Sequence, residues 1–219
     1  MVNQWQQWLS PRPQPTPHPP GSTMRSFLGT ALYEFLYEED GRFVVKETHY
    51  ANNKLVREGK SGPPLHIHVD QTEYFQVLQG ALGAARGNET VRFTKDDGIL
   101  VIPKGIRHRF WADSSINETN EDLVFKCWAD PYPMQPGFDE SFLRNFIGYM
   151  RDCTTQGIQP SIFSIALIGL SSGTLFICPP FYIPVWILKS VQYVLGDIIG
   201  RRILGYQEAY PEYCNAKTK

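Results

Sequence analysis

Four side chains in this sequence are of the types, and at the spacing, that hold a metal ion. His66 and His68 lie two apart in a run with strand character, so their imidazoles point to one face. A polar break over residues 69–72 follows, and Glu73 then opens a second apolar run that ends at Gly80. A further histidine, His108, comes after the Pro103-Lys-Gly105 turn. Three neutral imidazoles and one carboxylate suit a first-row divalent ion such as iron, manganese, nickel, copper or zinc. An octahedral ion held by four such donors keeps two positions open for substrate, water or dioxygen.

Positioning these donors is a task for strands. Residues 32–37 and 43–50 flank the turn Glu38-Glu-Asp-Gly41, and residues 80–86 and 89–94 flank Gly87-Asn88, a two-residue hairpin signal. Residues 99–102 form a short apolar strand, 113–122 a polar loop, and 123–128 a closing strand. Short strands at this density, with no helix between them, predict a sandwich or barrel over residues 30–130. Strand parity then selects a lining. If Glu73 points inward, so do Phe75 and Val77; if His108 does, so does Phe110; with Lys126 outward, Leu123, Phe125 and Cys127 face inward. Phe75, Val77, Phe110 and Phe125 are the candidate substrate-binding wall, suited to an aromatic or polyene skeleton, although small barrels also fill their interiors with such residues. His49 reads as a structural histidine.

The two histidine-bearing stretches resemble the paired motifs of the cupin superfamily. The first matches at His66, His68, Glu73 and Gly80, with its leading glycine displaced to Gly59 or Gly62. The second matches at Pro103, Gly105 and His108; Gly98 sits one residue late, and Ala112 stands where the family has asparagine. These departures touch turns and a supporting polar residue, not the four ligands. A barrel that had lost its metal would show substituted ligands, and all four remain. The resemblance implies a mainly β fold, a single antiparallel jelly-roll barrel over residues 30–130, and one divalent ion, iron foremost, on His66, His68, Glu73 and His108.

In overall character the chain also resembles small cupin oxidoreductases of fungal natural-product pathways. That resemblance implies an oxidation, with dioxygen as a candidate oxidant, of an apolar or aromatic polyketide-like small molecule in a secondary-metabolite pathway. Glu73 is then the candidate catalytic residue, a ligand that also moves protons. Two alternatives remain: an isomerase, cyclase, dehydratase or decarboxylase using the ion as a Lewis acid, and a small-ligand-binding barrel without turnover. One barrel hosts many chemistries.

Composition excludes little else. The net charge is −1, and no basic run or aromatic-basic interleaving points to nucleic acid. The four cysteines (Cys127, Cys153, Cys178, Cys214) form no Cys-x-x-Cys pair and read as free thiols. No secretory signal opens the chain, so an intracellular barrel facing the cytoplasm is expected; the sequons at Asn88 and Asn117 would matter only in a lumen.

The ends lie outside the barrel. Trp5, Trp8 and Leu9 fall at helical spacing, and residues 11–20 read as a polyproline spacer within an N-terminal segment of residues 1–29, with His18 inert. Residues 131–219 read as a helical extension, with no second globular domain. Residues 161–188 carry no charge, and 161–178 approach the length of a bilayer crossing. The expectation is a pair of helices over 161–199, broken near Pro179-Pro180. The first exposes Ile162, Phe163, Leu167, Leu170 and Phe176; the second carries Lys189, Gln192 and Gly196 in a polar stripe, with Lys189 and Gln192 towards water. Both associate with a membrane or, alternatively, pack on the barrel or across a homodimer interface.

Overall fold

Alternation of apolar and polar residues becomes strands from residue 23 onward. The computed structural model describes residues 4–18, 21, 23–26, 28–113, 121–176, 179 and 181–214. It divides into two units, Ser22–Met134 and Met1–Gly21 with Gln135–Lys219.

The strand unit contains β1 (Thr23–Arg25), β2 (Ala31–Tyr37), β3 (Phe43–His49), β4 (Ile67–His68), β5 (Thr72–Gln79), β6 (Leu82–Arg86), β7 (Glu89–Phe93), β8 (Ile99–Ile102), β9 (His108–Ala112) and β10 (Leu123–Asp130). Six of these form one antiparallel sheet in the order β1-β2-β3-β10-β5-β8, and three form another in the order β7-β6-β9. The fold is mainly β and antiparallel. Among the described residues, pairing is divided between these sheets rather than running round one continuous ring. A single helical turn, Lys54–Arg57, interrupts the long connection from β3 to β4, started by the Asn53 side chain accepting from Leu55 N–H at 2.9 Å. The loop expected over 113–122, with the Asn117 sequon, lies largely outside the described residues.

Register turns parity into a core. Cys127 pairs with Phe75 and Val45, and Phe125 pairs with Val77 and Glu47. Phe75, Val77, Phe110, Leu123, Phe125 and Cys127 are all buried. The partly exposed Lys126, between two of them, reaches Glu38 at 3.3 Å.

The helical unit has α1 (Gln4–Leu9), α2 (Glu140–Thr155), α3 (Ile162–Ser171) and α4 (Val185–Tyr193), the last running on as wider π-type turns over Val194–Ile203. Asp139 caps α2 by accepting from Phe142 N–H at 2.7 Å. Residues 11–18, expected as a spacer, are strapped onto the helices of this unit. Arg12 donates to Leu204 O at 2.7 Å, Thr16 N–H to Asp152 at 2.6 Å, and Gln14 exchanges two bonds with Gln156. His18, expected to be inert, accepts from Arg151 at 3.2 Å.

The structure does not support a bilayer crossing by the first helix of the pair expected over 161–199. α3 has ten residues, against the about twenty that a crossing needs. It ends well before the prolines, where Gly173 adopts φ 65°; Cys178 and Pro180 lie outside the described residues. Among the described residues no helix is long and apolar enough to cross a membrane. Ile162 is exposed as expected, but Leu167 is fully buried in a cluster with Leu204 and Tyr206, against which Phe163, Leu170 and Ile199 pack. Lys189 faces water while Gln192 does not. Its amide bridges backbone, donating to Thr174 O at 2.7 Å and accepting from Phe176 N–H at 2.9 Å. Gly196 is buried because a Cβ there would meet Leu167 N at 2.8 Å.

Candidate metal centre

The four predicted donors converge. His66, His68, Glu73 and His108 are each at most 4% exposed, and one ligand atom from each lies within 4.8 Å of all the others. Among the described residues no other group of three or more histidine, cysteine or acidic side chains does this.

Backbone pairing produces the convergence. His66 and His108 form an antiparallel bridge, and Gly105 of the Pro-x-Gly turn donates its N–H to His68 O at 2.8 Å. Both motifs are thereby tied together through main chain. Glu73 sits on β5 between Ile102 of β8 and Ala129 of β10, one strand in from the edge of the larger sheet. Of the two candidate leading glycines, Gly62 makes the close approach. A Cβ there would meet Phe110 O at 1.7 Å, so only glycine lets the chain leading to His66 pass β9. A Cβ on Gly59 would meet only the Trp111 side chain, at 3.3 Å.

The imidazoles are oriented for ligation. His66 Nδ1 lies 2.9 Å from Pro64 O, and His108 Nδ1 lies 2.9 Å from Ile106 O. A carbonyl can only accept, so Nδ1 carries the proton in both rings and Nε2 is left to the centre. His108 Nε2 faces Glu73 Oε2 at 2.8 Å, and His68 Nε2 is 3.6 Å from Glu73 Oε1. With Nδ1 already donating, an Nε2 lone pair against a carboxylate oxygen needs a cation between them, either an added proton or a metal ion. The donor set therefore fits a divalent metal site.

Charge in the group is consistent with this. Burial alone would raise the Glu73 carboxyl, but His68 and His108 outweigh it and hold it well below the usual carboxylate range. Burial first, and then the neighbouring His108 and His68, keep His66 well below the ordinary histidine value and so neutral. Cys127 donates its thiol to Glu73 Oε1 at 3.2 Å. Burial first, and then the Glu73 and Glu47 charges, raise that thiol and keep it protonated. The three described cysteines that carry free thiols are Cys127, Cys153 and Cys214.

Phe75 and Phe110, each two residues beyond a ligand on its strand, form an aromatic layer with Phe125. Ring centroids are 5.0 Å (Phe75–Phe110), 5.8 Å (Phe75–Phe125) and 5.3 Å (Phe110–Phe125). Sequence reading missed a second polar group beside this layer. His49 Nε2 is 3.0 Å from Glu47 Oε2, and His49 Nδ1 is 2.8 Å from Ser61 Oγ, all three residues being buried. The available signal was parity, since Phe43, Val45, Glu47 and His49 share the inward face of β3.

The antiparallel sheets and the four convergent donors agree with the cupin resemblance that the two motifs carry. No family model matches the chain. In solved structures the chain is similar to the cupin domain of Cnp3 from Schizosaccharomyces pombe, with 16% identity, a TM-score of 0.35, and coverage of 50% of this chain and 69% of that one. It is also similar to virH of Hypocrea virens, named a probable oxidoreductase, with 51% identity over 97% of this chain and 95% of that protein. Oxidoreductase iacF of Pestalotiopsis fici is 46% identical over 94% of this chain and 100% of its own length. At that identity along nearly the whole of all three sequences, the chain belongs to the family of fungal oxidoreductases that includes virH and iacF.

Proposed function

We propose that the protein is a metal-dependent oxidoreductase acting on an apolar or aromatic, polyketide-like small molecule in a secondary-metabolite pathway. The observation that carries this reading is the convergence of three imidazoles and one carboxylate within 4.8 Å in a buried setting. His66, His68, Glu73 and His108 hold one divalent ion, iron foremost. When bound, the ion supplies the redox capacity and polarises a substrate oxygen. The chain supplies orientation and exclusion of water: Phe75, Val77, Phe110 and Phe125 hold the ring, and Glu73 takes or returns a proton at its carboxylate. The naming of virH and iacF as oxidoreductases supports a redox reaction over isomerisation or simple ligand storage.

The test is elemental analysis of the purified protein together with oxygen uptake on a panel of hydroquinones and hydroxylated aromatic polyketides. We expect one equivalent of iron and uptake that vanishes on chelation and returns with iron. Undiminished turnover by the chelated protein would refute the reading.

A further inference from the structure

The Glu47–His49–Ser61 row is unexplained by packing. Burying an acid costs several kcal/mol, and well-packed apolar residues in its place are often the more stable choice. A charged or polar row kept inside a fold, with perturbed protonation, is a candidate for chemistry. Three observations narrow its role.

The first is proton order. Ser61 Oγ accepts from Ala112 N–H at 3.3 Å, so its own proton is free to go to His49 Nδ1. With the His49 ring neutral, a Glu47 carboxylate fixes the tautomer: Nε2–H donates to Glu47 Oε2 and Nδ1 accepts from Ser61. In that tautomer every hydrogen bond in the row runs one way and ends on the Glu47 carboxylate. Among the described residues no hydrogen bond reaches the other carboxylate oxygen of Glu47.

The second is place. Glu47 is paired with Phe125 on β10, and the His49 ring lies 5.5 Å from Phe125 and 6.3 Å from Phe110. Phe125 and Phe110 contact Phe75, and Phe75 and Phe110 share strands with Glu73 and His108. One aromatic layer therefore borders both the four-donor group and the acid–base row.

The third is charge. The titratable groups bearing on Glu47 are His49 on β3, Glu73 on β5, Cys127 on β10 and Tyr33, paired with it on β2. Burial raises the Glu47 carboxyl, the contact with His49 opposes this, and the Glu73 charge adds to it. The result is a stronger base than an ordinary surface carboxylate.

We propose that Glu47, oriented by His49 and Ser61, accepts the proton of a hydroxylated aromatic ligand lying against Phe75, Phe110 and Phe125. The inference rests on the reading that this interior takes an aromatic small molecule. In the step, the ligand O–H bond breaks and a new O–H bond forms on the Glu47 carboxylate. The electron pair stays on the ligand oxygen, so a phenol and a carboxylate become a phenolate and a carboxylic acid. His49 and Ser61 act as positioning residues, holding the acceptor by their ordered hydrogen bonds.

The experiment uses 4-nitrocatechol, whose absorption distinguishes phenol from phenolate, titrated into full-length protein in metal-loaded and chelated forms. At a pH below the probe's own ionisation, the wild type should bind it as the phenolate in both forms. Glu47→Gln should bind it as the neutral phenol, with the ionisation midpoint of the bound probe raised by about one pH unit or more. Ser61→Ala should shift the midpoint in the same direction by less, and it carries the test if Glu47→Gln does not fold. Equal phenolate bands and midpoints in wild type and variants would overturn the proposal, as would a wild type that leaves the probe unbound or neutral.

Metal analysis separates this from the metal reading. Glu47→Gln should keep the wild-type metal content, whereas His66→Ala with His68→Ala should lose it. A wild type that ionises the probe but takes up no metal on loading would sink the metal reading alone. A Glu47→Gln that takes up metal normally and, once chelated, still ionises the probe as the wild type does would sink the relay alone.

Discussion

His66 and His108 hold each other in register through both of their backbone hydrogen bonds. His66 N–H donates to His108 O at 3.0 Å, His108 N–H donates to His66 O at 2.9 Å, and the ring centroids are 4.2 Å apart. A slip of one residue would turn either imidazole to the opposite face, so the pairing of two distant motifs and the assembly of the donor group are one event.

Alanine at any two of His66, His68, Glu73 and His108 should abolish stoichiometric metal binding and activity together. Titration with zinc or iron followed by elemental analysis reads the first, and oxygen uptake the second. Retention of one equivalent of metal by His66→Ala with His108→Ala would place the ion elsewhere.

Gly62→Ala should damage the centre without touching a ligand. Its Cβ would overlap Phe110 O, so the segment leading to His66 must move off β9. We expect a loss of about 1–3 kcal/mol in denaturant unfolding. Metal affinity should fall about 10–100-fold, the range seen when a ligand's supporting contacts are lost. An alanine variant with wild-type affinity would mean that this crossing does not position His66.

The Glu47 carboxyl is raised in the fold from its ordinary value of 4.5, burial being the main cause. Its stabilising contribution is therefore complete below pH 4.5 and is lost as pH rises through the folded value. Glu47→Gln lacks that slope, so the stability of wild type relative to the variant should decline from pH 4.5 upward. Urea unfolding of both proteins across pH 4.5–8 measures it; parallel curves would contradict the assignment.

His18 shifts the other way. Burial, and then the charges of Arg151 and Arg144, lower it from 6.5 to about 4. Its contribution is present above pH 6.5 and is lost as pH falls toward 4, because the unfolded chain takes up the proton first. His18→Gln should flatten the acid limb of melting temperature between pH 6.5 and 4. An unchanged limb would show that the His18–Arg151 contact does not tie the N-terminal strap down.

In the helical unit, Gly196→Ala should cost about 1–3 kcal/mol, because the added Cβ meets Leu167 N and Ala166 C at 2.8 and 2.9 Å, both backbone atoms. Thermal melting reads the effect, and an unchanged midpoint would mean that the two helices separate freely.

The donor group and the strands that carry it were legible because both depend on short-range periodicity. Spacing by two puts His66 and His68 on one face, and the same rule sends Phe75, Phe110 and Phe125 inward. Turn chemistry around Gly87-Asn88 and Pro103-Lys-Gly105 marked where strands end. In the helical end, pattern alone does not fix which side chains are covered: an uncharged run looks the same whether it meets lipid or protein. Leu167 was expected outside and lies inside, and Gln192, expected in water, spends its amide on the backbone of Thr174 and Phe176. Neither could follow from pattern, because a polar side chain is stable inside only where a partner waits, and those partners lie on other elements. Parity on β3 places Glu47 and His49 on one face, but only the long connection after β3 brings Ser61 to them. Sequence periodicity decided which face each residue takes; contacts between distant segments decided what that face meets.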